Sequence, residues 1–133
     1  MSSKNLTALS RSETEILRLL WQLGSGTVAE IHDTLPEGRR IAYATVQTLL
    51  RRLERKGYVS HQTKGKAHVF HPAARREDVV TRTVGDFVEG LFGGDPVPLM
   101  LHLAENTTLD PEDVERLKSL IAKAESQQQT HRG

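Results

Sequence analysis

The stretch "IAYATVQTLLRRLERKGYV", Ile41 to Val59, decides how this chain is built. At about 100° per residue, Val46, Leu49, Leu50 and Leu53 fall within one arc of about 100°, the width of a core-facing stripe. Thr48, Arg51, Arg52 and Arg55 fall on the opposite arc, with Thr45 at its edge. The spacing predicts a helix from roughly Tyr43 to Lys56, closed by Gly57 and greasy on one side and cationic on the other. Glu54 is the single acid in it. Such a face suits a major groove, where arginines reach guanine edges or phosphates and short threonines contact phosphates, base edges or a thymine methyl.

The flanks predict what carries this helix. Upstream, "LSRSETEILRLLWQLGSG" offers two overlapping capping boxes, Ser10 with Glu13 and Ser12 with Glu15, then an apolar stripe of Ile16, Leu17, Leu20, Trp21 and Leu23, with Gly24 to close the helix. Thr27 with Glu30 opens a second, short helix through Val28, Ile31 and Leu35, ended by Pro36 to Gly38. Downstream, "YVSHQTKGKAHVFHP" is rich in β-branched and aromatic residues around a Lys-Gly pair. It predicts a hairpin, Tyr58 to Thr63 and Ala67 to His71, turning at Lys64-Gly65. Three helices and then a hairpin is the winged helix-turn-helix order. The wing adds Lys64 and Lys66 beside a glycine, positive and small enough to follow a phosphate backbone.

Charge agrees with that division. The formal net charge is only +1, yet residues 1–72 hold 11 Lys and Arg against 6 Asp and Glu, whereas residues 73–133 hold 7 against 11. A basic first half suits a polyanion and an acidic second half does not. An arginine-rich face is commonly no more than solvated surface. Here the i, i+4 acids that usually accompany solvated arginines are missing, Glu54 excepted.

With "ETEILRLLW" upstream and "AYATVQTLLRRLERKGYV" running into a hairpin, the chain closely resembles the penicillinase repressor (BlaI/MecI/CopY) family of bacterial winged-helix repressors, from about Leu9 to Lys123. The resemblance implies a homodimer that binds an inverted-repeat operator of TACA/TGTA type and blocks transcription. It also implies that Thr45, Thr48 and Arg52 touch DNA. With the residue-level reading, the expected DNA-binding set is Tyr43, Thr45, Thr48, Arg51, Arg52, Arg55, Lys64 and Lys66. Ala44 departs from the family's lysine or threonine at that place, which leaves base preference open. In the family's beta-lactamase branch the resemblance implies release by a membrane-bound sensor metallopeptidase that cuts the dimerisation region; the matching bond reads His102-Leu103 instead of an Asn-Phe type. The copper-responsive route needs a cysteine-rich tail, and this chain has no cysteine.

The second half explains why such a chain would pair. Val80, Val84, Phe87, Val88 and Leu91 share one helical side before Gly93-Gly94 breaks the run. "PVPLMLHLAEN", with Leu99 and Leu103, follows as a short apolar helix. Asp110 and Pro111 then open a third, in which Val114, Leu117, Leu120, Ile121 and Ala124 line one face. Three amphipathic helices in about 60 residues carry more apolar face than one small lobe covers, so a second copy is the simplest partner. The alternative is packing back onto the chain's own winged helix. The expected architecture is mainly α with a small β-hairpin: a winged helix-turn-helix domain over 1–73, a helical dimerisation domain over 74–126 and a disordered tail over 127–133.

Other chemistry is sparse. The absence of cysteine removes disulfides, thiolate metal sites and Cys nucleophiles. No apolar run is long enough to span a bilayer and "MSSKNLTALS" lacks a signal-peptide core, so a cytoplasmic protein is expected and the sequon Asn106-Thr107-Thr108 is accidental. His61, His68 and His71 lie close together on the wing, but alternation along the strands argues against a convergent metal site. Gly24-Ser25-Gly26 follows no strand and is a turn. Asp110, Glu112 and Asp113 cap a helix, which leaves no catalytic pair; neither an enzyme nor a cofactor is expected. Two other readings stay open: a winged-helix module that places its basic face on an acidic protein, and a metal sensor of another winged-helix family.

Overall fold

The computed structural model describes residues 7–132. Its elements are α1 (Arg11–Leu23), α2 (Val28–Thr34), a short 3-10 turn (Glu37–Arg39), α3 (Tyr43–Arg55), β1 (Val59–Lys64), β2 (Ala67–Pro72), α4 (Arg76–Phe92), α5 (Val97–Asn106) and α6 (Pro111–Arg132). The expected class, mainly helical with one antiparallel hairpin, is the one observed. The chain divides into two compact units, residues 1–84 and 85–133.

In the first unit α1 and α2 start where the capping boxes place them. Ser10 Oγ accepts the Glu13 N–H at 3.1 Å while the Glu13 carboxylate accepts the Ser10 N–H at 2.8 Å. Thr27 and Glu30 repeat this at 3.2 and 2.8 Å. Only the first of the two overlapping boxes in α1 forms, because with Ser10 as N-cap Ser12 already lies inside the helix; the Glu15 carboxylate takes the Arg39 guanidinium at 2.6 Å. Gly24 then closes α1 at φ +86°, a left-handed value that a side chain would strain.

The apolar stripes meet in one core: Ile16, Leu17 and Leu20 of α1, Ile31 of α2, and Val46, Leu49, Leu50 and Leu53 of α3, closed by Tyr58, Val59 and Phe70 of the hairpin. Gly26 adds a short bridge to the hairpin, exchanging N–H···O bonds with Phe70 at 2.9 and 2.8 Å. Lys64 pairs with Ala67, so the turn is Gly65-Lys66. The expected turn at Lys64-Gly65 is one residue early, because Gly65, at φ +63°, supplies the first position of the turn and Lys64 still belongs to the ladder.

Two boundaries differ from the expectation. The first unit runs through Val84 and does not stop at 73, because Val79 is buried in the core and Ala74 packs against it, which ties the start of α4 to the winged helix. The segment 127–133, expected as a disordered tail, continues α6 as far as Arg132. Gln and Arg are good helix formers, and no glycine or proline intervenes before Gly133.

Candidate nucleic-acid interface

α3 is held by the side that the core takes. Val46, Leu50 and Leu53 are fully buried and Leu49 nearly so. Its end is closed by N–H bonds from Gly57 to the Glu54 carbonyl and from Tyr58 to the Leu53 carbonyl, with Gly57 at φ +92°. A helix clamped along one whole side presents the opposite side at a fixed angle. Thr45, Thr48, Arg51, Arg52 and Arg55 are all exposed there. Thr48 Oγ1 donates to the Ala44 carbonyl at 3.0 Å, which leaves its oxygen lone pairs facing outward. None of Arg51, Arg52, Arg55, Lys64 and Lys66 has an ion-pair partner among the described residues.

The exposed side of α3 is two rows, not the single cationic arc that helical spacing predicts. Thr45, Thr48, Arg52 and Arg55 form the outward row. Tyr43, Gln47, Arg51 and Glu54, spaced by four, four and three residues, turn toward the wing. With Thr27, Val28, Ala29, Lys66 and His68 they line a cleft of about 480 Å³ between α3 and the hairpin. Tyr43 is half-exposed at the mouth of α3, edge-on to His32 with ring centres 6.1 Å apart. Gln47 carries no fixed charge and so gives no electrostatic signal in the sequence; its i, i+4 spacing from Tyr43 is the signal that places it on this row.

The wing carries Lys64 and Lys66 exposed at its tip. Strand register puts His61, His68 and Phe70 on one face and His71 on the other, where its ring lies 3.3 Å from Ser60 Oγ. His61 and His68 stack at 4.4 Å with 16° between their planes. Among the described residues no group of three or more His, Asp or Glu is arranged to hold a metal ion.

One cation of α3's end is not available to a ligand. Lys56 Nζ reaches across to α1, bonding Glu13 Oε1 at 2.7 Å and the Ala8 carbonyl at 3.0 Å. Glu13 is completely buried. Burial pushes its carboxyl pKa up, but the hydrogen bonds from Lys56 and Ser10, with the charge of the ammonium, outweigh it and hold Glu13 below the usual carboxylate range. This pair welds the base of α3 to α1 and so helps to fix the angle of the cationic row.

Of the residues assigned to pairing, Val80, Val84, Phe87, Leu91, Leu103, Leu117, Leu120 and Ile121 are exposed, from 44% for Leu117 to 66% for Leu91. Leu99 and Val114 are half-buried. Val88 is buried, where the chain turns back after Phe92 and Gly94 N–H bonds the Val88 carbonyl; it is not part of the uncovered face. His102 and Leu103 are exposed within α5, with the His102 carbonyl accepting from Asn106 Nδ2 at 2.9 Å.

Residues 9–123 match the penicillinase repressor family. The chain belongs to the penicillinase repressor family. Within it, the chain is 23% identical over 113 residues to the penicillinase repressor of Staphylococcus aureus, covering 85% of this chain and 90% of that one. It is 25% identical over 118 residues to the penicillinase repressor of Bacillus licheniformis, covering 89% and 92%. Among solved structures, the DNA-binding domain of the repressor BlaI superposes at a TM-score of 0.50 with 28% identity, over 56% of this chain and 92% of that one. The family match therefore runs through both units, beyond the winged helix. No helix among the described residues is long and apolar enough to cross a membrane.

Proposed function

We propose that this member of the penicillinase repressor family is a DNA-binding transcriptional repressor that places α3 in the major groove of an inverted-repeat operator as a homodimer. The observation that carries this is the outward row of α3: Thr45, Thr48, Arg52 and Arg55 exposed, without acid partners, and held rigidly by the buried row behind them. Arginine supplies bidentate donors for guanine or phosphate and threonine keeps the helix slim. The free Lys64 and Lys66 at the wing tip extend the positive surface to the flanking backbone.

A two-fold dimer would put two such helices into successive major grooves, which is why an inverted repeat is the matching site. Support for pairing comes from α4 to α6, whose large apolar side chains remain exposed in the single chain. Release follows an inducing signal; the route of the family's beta-lactamase branch, a cut by a membrane-bound sensor metallopeptidase, would fall between His102 and Leu103, where this chain departs from the Asn-Phe type. The bond is exposed but helical, so a cut requires α5 to unwind locally. Incubating the protein with its cognate sensor and sequencing the fragments tests this; an intact chain under inducing conditions rejects it.

The decisive experiment titrates a short duplex bearing an inverted TACA/TGTA repeat at several salt concentrations. Each neutralised phosphate contributes about −0.9 to the log-log slope, so affinity falls steeply with salt if α3 and the wing meet DNA. A flat dependence would point instead to an acidic protein as the partner of the basic face.

A further inference from the structure

Glu54 is the one carboxylate in the cationic stretch from Arg39 to Lys66. It lies on the wing-facing row of α3 and lines the same cleft as Arg51, Lys66 and His68. Three residues along a helix is a spacing at which unlike charges pair, so Arg51 is the expected partner of Glu54. The structure gives it another. His61 Nδ1 of β1 lies 2.7 Å from one carboxylate oxygen and 3.0 Å from the other. An ionised carboxylate only accepts, so the ring nitrogen carries the proton.

The imidazole is fixed from three sides. It holds the carboxylate with Nδ1, stacks on His68 at 4.4 Å, and leans on Phe70 at 5.4 Å, a core residue only 3% exposed. Both partners of the pair are about one-third exposed, at 31% and 33%, so the carboxylate is close enough to the surface to repel a polyanion if it turned outward. Arg51 and Lys66, which share the cleft, have no acid partner among the described residues.

We propose that His61 is a positioning residue for DNA binding: it holds the lone carboxylate of α3 against the wing, which keeps Arg51 and Lys66 unpaired for phosphates and the negative charge back from the duplex. The assignment rests on the DNA-binding function proposed above. Without the imidazole, the Glu54 side chain is free to turn to Arg51 or Lys66, cancelling a cation that would meet DNA.

The test compares the full-length protein with His61→Ala and with the double variant His61→Ala, Glu54→Gln, on a duplex bearing an inverted TACA/TGTA repeat and on a random-sequence duplex of equal length. His61→Ala is expected to weaken binding to both probes by about tenfold, the low end of the loss when one cation that meets DNA is removed. The double variant is expected to recover most of that loss, because it carries the same missing imidazole but no freed carboxylate. Glu54→Gln alone completes the comparison: a packing role for His61 predicts that Glu54→Gln changes binding by the same factor with His61 present or absent, and that result overturns the proposal, as does a His61→Ala variant that binds like the parent. Thermal unfolding of the two variants, which share the same packing loss, controls for folding. If the parent protein binds neither duplex, DNA binding itself fails; if the parent binds with a steep salt dependence and only the variant comparison fails, this inference alone falls.

Discussion

The two units draw on the same kind of sequence and do opposite things with it. In the first, leucines and isoleucines at helical spacing reach 0–8% exposure, as in Leu17, Leu20, Ile31 and Leu50. In the second, residues of the same types at the same spacing, such as Leu91, Leu120 and Ile121, remain at 61–66%. Amphipathic periodicity states that a face wants covering, without saying by what. In the first unit three helices and a hairpin cover one another. In the second, the same kind of face stays uncovered in the single chain, and the proposed dimer rests on that difference.

That contrast can be broken most forcefully at the buried pair that welds α3 to α1. Lys56→Met should cost about 3 to 5 kcal/mol, because it strands the Glu13 carboxylate in the core without its cation. Denaturant unfolding measures it, and a loss under about 1 kcal/mol would mean that Glu13 rehydrates easily. The pair also gives the first unit a pH signature. Glu13 has a depressed carboxyl pKa in the folded state. The stability it contributes is present above the ordinary glutamate value of about 4.3 and is lost as pH falls through the lower folded value. Melting temperatures followed through that acid window should therefore drop more for the parent protein than for Glu13→Gln.

A second break targets the uncovered face. Ile121→Asp should raise the dimer dissociation constant by about a hundredfold, read by analytical ultracentrifugation, while leaving the unfolding of the first unit unchanged. Dimers that survive this change would move the pairing face elsewhere. The smallest expected effect sharpens the comparison inside α3 itself. Arg52→Ala should weaken operator binding roughly tenfold with stability altered by no more than about 0.5 kcal/mol, since its side chain is exposed and unpaired. An anisotropy titration at fixed salt showing unchanged affinity would remove Arg52 from the site.

Much of the first unit was legible because its signals are local. The capping boxes at Ser10 and Thr27, the glycine at 24 and the alternation from His61 to Phe70 each act within a few residues, and the elements lie where they place them, the hairpin turn being one residue later. The division of α3 into a core row and a cationic row follows from helical geometry alone. Less accessible was anything that joins distant residues. Glu13 reads as a capping residue, and nothing local shows that its second task is to receive Lys56 from 43 positions away. Glu54 reads as an exception in a positive helix until β1 brings His61 to it. The end of the first unit was misplaced for the same reason: Val79 belongs to a helix of the second half by spacing and to the core of the first half by contact.

By itself, then, the sequence determined the helices, the hairpin and which side of α3 would be charged, because backbone capping and periodicity are satisfied by near neighbours. Only the tertiary structure decided that the exposed side of α3 is two rows, one outward and one facing a cleft, and which of its charged groups are already spent on partners within the fold. The physical reason is range: a helix fixes the angle between its own side chains, but which neighbour meets each one depends on a packing that brings together residues far apart in the chain.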